Sequence, residues 1–120
     1  MQKLWLIPDA EGKGSFDVHK LRLAIRGLPA LTNWQESSEE ILFECDLNTS
    51  DASIQPIPIQ VNKNSISIGI YHNDGLKAAL DIQKRYGEEM FAFSEESSPE
   101  VIAISLLRTP EELAIKLKLR

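Results

Sequence analysis

Four side chains in two short stretches offer the most obvious chemistry. "IPDAEGKGSFD" supplies Asp9 and Lys13 within a glycine-containing loop, and "YHNDG" supplies His72 and Asp74. A loop between a strand and a helix can present backbone amides to a phosphate. The phosphate-loop pattern requires glycine, four residues and then Gly-Lys-Ser or Gly-Lys-Thr. Lys13 lies between Gly12 and Gly14, so the spacing fails, and Asp9 and Glu11 would repel an anion. His72 could act as a general base with Asp74 orienting it. Residues this close in sequence have diverging side chains, and the other histidine, His19, belongs to the first helix. The same letters also serve a plain structural purpose. Asn73 or Asp74 caps a helix and Gly75 relaxes its backbone. No catalytic residue is assigned.

Cys45 sits on the apolar side of an alternating stretch, where cysteine behaves as a small hydrophobe. Its neighbours Glu44 and Asp46 disfavour a thiolate. One cysteine excludes an internal disulfide and a cysteine zinc cluster, and suits a reducing, cytoplasmic compartment. Carboxylate pairs abound: Glu39 with Glu40, Glu88 with Glu89, Glu95 with Glu96, Glu111 with Glu112. Adjacent strand residues point to opposite faces, so each pair is expected to be solvated surface rather than a metal site. No metal or cofactor is expected.

The formal net charge is −5, unevenly spread. No Lys or Arg occurs between Arg26 and Lys63, an interval holding Glu36, Glu39, Glu40, Glu44, Asp46 and Asp51. The interval between Arg85 and Arg108 repeats this, with Glu88, Glu89, Glu95, Glu96 and Glu100. Phosphate backbones are bound by clustered cations, so nucleic acid is not the expected partner. A basic protein is compatible with such stretches, and solubility alone is the plainer account. Trp34, beside Gln35 and Glu36, suits either a protein-binding anchor or a group closing the rim of the core. Trp5, within a strand, is expected in the core.

The elements that must hold these residues follow from periodicity. Gln2 to Ile7 reads as a strand apolar on both faces. Its apolar stretch, Leu4 to Ile7, is too short for a secretory core, and no run is long enough to span a bilayer. Val18, Leu21, Ala24, Ile25 and Leu28 recur at helical spacing, with Ser15 as cap and Gly27 and Pro29 as the stop. Residues 30 to 40 either pack on that helix or add a short strand. Ile41, Phe43, Cys45 and Leu47 mark the next strand. "IQPIPIQV" and "SISIGI" form a hairpin across "NKN". Pro56 and Pro58 cannot donate to a ladder, which puts that strand at an edge or leaves it paired on one side only. A helix spans 74 to 86, ending at Gly87. "EMFAF" and "VIAISLL" are strands. "TPEEL" opens a helix by a capping box, although "LAIKLKL" alternates like a strand.

The 120 residues make one domain in the order β-α-β-β-β-α-β-β-α. Strand, helix, strand over 65 to 94 implies a crossover between parallel neighbours. The expected fold is α+β, a single mixed sheet with helices mainly on one face. No family motif is present. The leading expectation is a small acidic, non-enzymatic interaction protein that binds a basic partner through Trp34, Glu36, Glu39, Glu40, Glu95 and Glu96. Small bacterial immunity and accessory proteins share this general character, a class-level analogy. The alternative is an enzyme or ligand binder with a pocket formed by loops 8–15 and 71–75 and lined by Asp9, Lys13, His72 and Asp74. A homodimer through a free sheet edge is the third.

Overall fold

The computed structural model describes residues 3–29, 31–36, 42–51, 53, 55–69, 73–94 and 101–117. Among these residues seven strands form one sheet, β1 (Lys3–Ile7), β2 (Leu31–Glu36), β3 (Phe43–Leu47), β4 (Ile57–Val61), β5 (Ile66–Gly69), β6 (Phe91–Ser94) and β7 (Ile102–Ala103), and three helices accompany them, α1 (Val18–Arg26), α2 (Asn73–Tyr86) and α3 (Pro110–Lys116). The spatial order is β2-β3-β4-β5-β1-β6-β7. The α+β class is as expected, with β2 as one strand more.

Every neighbouring pair is antiparallel, so the sheet is not mixed in its pairing. β5 and β6 do run parallel, as the crossover through α2 requires. They are not neighbours, because β1 lies between them and pairs with both. A sequence places β1 first in the chain but does not say which gap it fills. β4 is likewise interior, flanked by β3 and β5. Pro58 is registered against Asp46 of β3, whereas the ladder with β5 begins at Ile59. The proline therefore breaks no rung with β5, and an interior strand tolerates it.

One sheet face carries Leu4, Leu6, Phe43, Cys45, Ile57, Ile59, Val61, Ile66, Ile68 and Ala92, all buried in one cluster with the apolar sides of the helices. In α1 those are Leu21, Ala24 and Ile25. The cap of α1 is Asp17, not Ser15: its side chain accepts from the Lys20 amide. α2 packs between α1 and α3, so it buries residues over a wide arc, including Ala78, Ala79 and Gln83. Gly87 follows it at φ +83°, the left-handed conformation that glycine adopts at no steric cost.

The strand expected over 101–107 shrinks to two residues for a visible reason. The Ile104 amide still reaches the Met90 carbonyl at 3.1 Å but also donates to the Glu89 carboxylate at 3.0 Å, and the Ser105 amide donates there at 2.8 Å, which ends the ladder. In α3 the helical period prevails over the alternating pattern. Thr109 caps the Glu112 amide, Leu113 and Leu117 are buried, and Ile115 between them is 75% exposed.

Candidate site: the uncovered sheet face and its surroundings

The second face of the sheet has no helix packed on it among the described residues. Register builds a row across six strands on this face. Gln35 lies opposite Glu44, Glu44 opposite Gln60, Gln60 opposite Ser67, Ser67 opposite Trp5, and Trp5 opposite Phe93. Residues directly opposite share a face. The neighbouring row adds Asp46, Pro58, Gly69 and Lys3. Trp5 is therefore on the uncovered face and half-buried, not in the core. The alternation of Lys3 and Trp5 against Leu4 and Leu6 carried that signal.

The row has two chemical halves. At one end Trp5 stacks on Phe93, with ring centroids 6.5 Å apart and planes within 15°. Lys3 Nζ lies 6.0 Å from the centre of the Trp5 ring. At the other end Glu44 and Asp46, among the described residues, accept only from neutral amides: Glu44 from Gln60 at 3.4 Å, and Asp46 from Asn33 at 2.9 Å. Between the halves the side chains are small. Ser67 and Gly69 leave a hollow of about 150 Å³ beside Lys3 and Gln60. A second hollow of about 270 Å³ lies over Gln35, Glu44 and Asp46. Pro58 and Gln60 border both, so they form one furrow.

The bulge in β2 decides where Trp34 goes. Between Thr32 and Gln35 two residues, Asn33 and Trp34, oppose one, and Asn33 takes φ 54°. Asn33 bonds Asp46 on the uncovered face, whereas Trp34 turns to the helix side. There it stacks on Phe43 at 4.7 Å, and the Arg26 guanidinium covers it at 4.7 Å. Glu36 faces Arg22 at 3.3 Å and Arg26 at 3.7 Å. Trp34 thus closes the rim of the core, and Glu36 is neutralised within the chain. Glu39, Glu40, Glu95 and Glu96 lie outside the described residues.

Asp9 and Lys13 are not brought together with Asp74. β1 and β5 are antiparallel neighbours, so the loop after β1 and the segment after β5 leave opposite ends of the sheet. Asp9 organises its own loop by accepting from the amides of Glu11 (2.9 Å) and Lys13 (3.0 Å). These amides hold its carboxyl below the ordinary range, the Lys13 amide foremost. Lys13 pairs with Glu11 in solvent. At the far end Asp74 accepts from the Ser50 amide at 2.7 Å and its hydroxyl at 3.1 Å. His72 lies outside the described residues.

Cys45 is 3% exposed, and burial, with Asp46 adding, pushes its thiol up to about 12. Such a group stays protonated and is a poor nucleophile. The described residues contain no cluster of three or more potential metal ligands, and no helix long and apolar enough to cross a membrane.

Comparison with protein-family models, with curated proteins and with solved structures returned no match to this chain.

Proposed function

We propose that this protein is a non-enzymatic interaction module whose uncovered sheet face receives a basic segment of a partner protein. One observation carries the reading: on that face two carboxylates, Glu44 and Asp46, accept only from neutral amides among the described residues, and the row that holds Glu44 runs on across the sheet to the Trp5–Phe93 stack. A guanidinium or ammonium group would meet the carboxylates, and apolar side chains farther along the same segment would lie on the aromatic rings. Charge complementarity favours a basic occupant, because Lys3 is the only cation in the two rows. In this reading the carboxylates offered to the partner are Glu44 and Asp46, while Trp34 and Glu36 make internal contacts.

Five inter-strand gaps at about 4.8 Å make the row roughly 24 Å long, the span of about seven extended residues. The test probe is therefore a seven-residue peptide of alternating Arg and Leu, with a Glu-for-Arg peptide as control. Amide shifts on addition of the basic peptide should concentrate in β1, β3, β4 and β5. The double variant Glu44→Lys, Asp46→Lys should weaken binding at least about tenfold, consistent with losing charge-assisted contacts. Shifts confined to the helices, or equal binding of both peptides, would count decisively against the proposal.

A further inference from the structure

We propose that a cleft at the end of the sheet opposite loop 8–15 binds a small zwitterion with an apolar tail, of the α-amino acid class. The cleft has a volume of about 240 Å³ and lies where α1 ends, β3 ends and α2 begins. It lies apart from the furrow and goes beyond the interaction reading above.

The lining is divided by chemistry. Leu28, Leu47 and Ala78 make an apolar floor; each is under 10% exposed, yet all three border the cavity. Ala78 creates the space, because it is a small residue on the inward side of α2. The rim carries Lys77 and Asp81, one helical turn apart on α2. Neither forms an ion pair among the described residues. Asp74 also borders the cleft, but the Ser50 amide and hydroxyl already occupy it. That contact has its own consequence: it fastens the 48–51 loop to α2, so the far wall stands in place before a ligand arrives.

An apolar floor with a few convergent polar groups is the usual make-up of a small-molecule site. Two opposite charges at the rim select a head group carrying both. A carboxylate would pair with the Lys77 ammonium, at the fifth position of α2. An ammonium at Asp81 would sit farther along. At about 30 Å³ per water, the volume corresponds to about eight waters, room for a leucine-sized molecule.

The test uses three probes that share one tail: L-leucine, 3-methylbutylamine and 4-methylpentanoate. Amide and methyl shifts of Leu47, Ala78 and Asp81 should report leucine binding in the millimolar range. The amine and the acid should each bind at least about fivefold more weakly. Lys77→Gln, a solvent-exposed change that leaves the fold intact, should bring leucine down to the level of the amine. Ala78→Leu should abolish the shifts by filling the floor. The proposal is overturned if leucine moves none of these resonances at 50-fold molar excess over about 1 mM protein, if the three probes bind alike, or if Lys77→Gln changes nothing.

Discussion

Glu88 and Glu89 are adjacent carboxylates of identical composition, and the structure assigns them very different weights. Glu88 holds Lys20 at 2.9 Å in solvent, with side chains 63% and 42% exposed. Such pairs contribute little. Glu89 instead accepts from the amides of Met90 (3.1 Å), Ile104 (3.0 Å) and Ser105 (2.8 Å), and its other oxygen meets the Ser105 hydroxyl. In Glu89→Ala not all of this is lost. The Ile104 amide keeps the Met90 carbonyl at 3.1 Å, and exposed Ser105 can turn to water. What remains is the part-buried Met90 amide, left without its acceptor, and one or two charge-assisted bonds at about 1.5 kcal/mol each. The sum is roughly 2–3 kcal/mol, which for a chain of this length lowers the melting temperature by about 8–12 °C. Glu89→Gln keeps an acceptor oxygen and should fall by less than half as much. Glu88→Ala should melt with the wild type. The assay is thermal unfolding followed by circular dichroism, with exchange of the 104 and 105 amides as the local readout. If Glu89→Ala and Glu88→Ala melt together, or the 105 amide exchanges no faster in the variant, the reasoning fails.

Two further outcomes follow. Cys45, with its thiol raised from an ordinary value near 9 to about 12, favours folding while neutral. Its contribution is full below pH 9 and declines as pH rises toward 12; a disulfide reagent at pH 8 should label it only after unfolding, and fast labelling of native protein would contradict the burial. Gly27 has an ordinary φ of −77°, but a β-carbon there would meet the Arg85 guanidinium, which donates to the Ala24 carbonyl at 3.1 Å. Gly27→Ala should therefore be neutral or slightly destabilising alone, yet stabilising by about 0.4–1 kcal/mol in an Arg85→Ala background. A double-mutant cycle by denaturant titration should show coupling of about 1 kcal/mol, and additive effects would refute the contact.

Local signals were read well from sequence because they depend on neighbours a few residues away. The Thr109 cap, the Gly87 stop, the 57–69 hairpin and the inward residues of α1 and α2 all belong to this group. What escaped was set by partners distant in sequence. Glu88 and Glu89 look equivalent until Lys20 and the 104–105 backbone approach them. Pro58 looks like an edge marker until the β5 ladder is seen to start one residue later. Trp5 left the expected core because the strand's alternation put it on the outer face, whereas Trp34 took the second of its two expected places, turned toward the core rim by a bulge. The joint pocket of Asp9, Lys13 and Asp74 depended on strand direction, and the antiparallel pairing of β1 with β5 separated its halves.

The position of β1 constrains how the chain assembles. It is made first, yet both strands that flank it, β5 and β6, emerge at least about sixty residues later. The meander β2–β5 can pair as it is synthesised, and so can the β6–β7 hairpin. The two halves join only when residues 3–7 enter the gap between them. Such long-range closure is slow, because loop entropy is lost before the contacts are gained. Because β1 precedes both neighbours it can meet β5 first, and until it does the β5 edge stays open to a β1 segment from another copy.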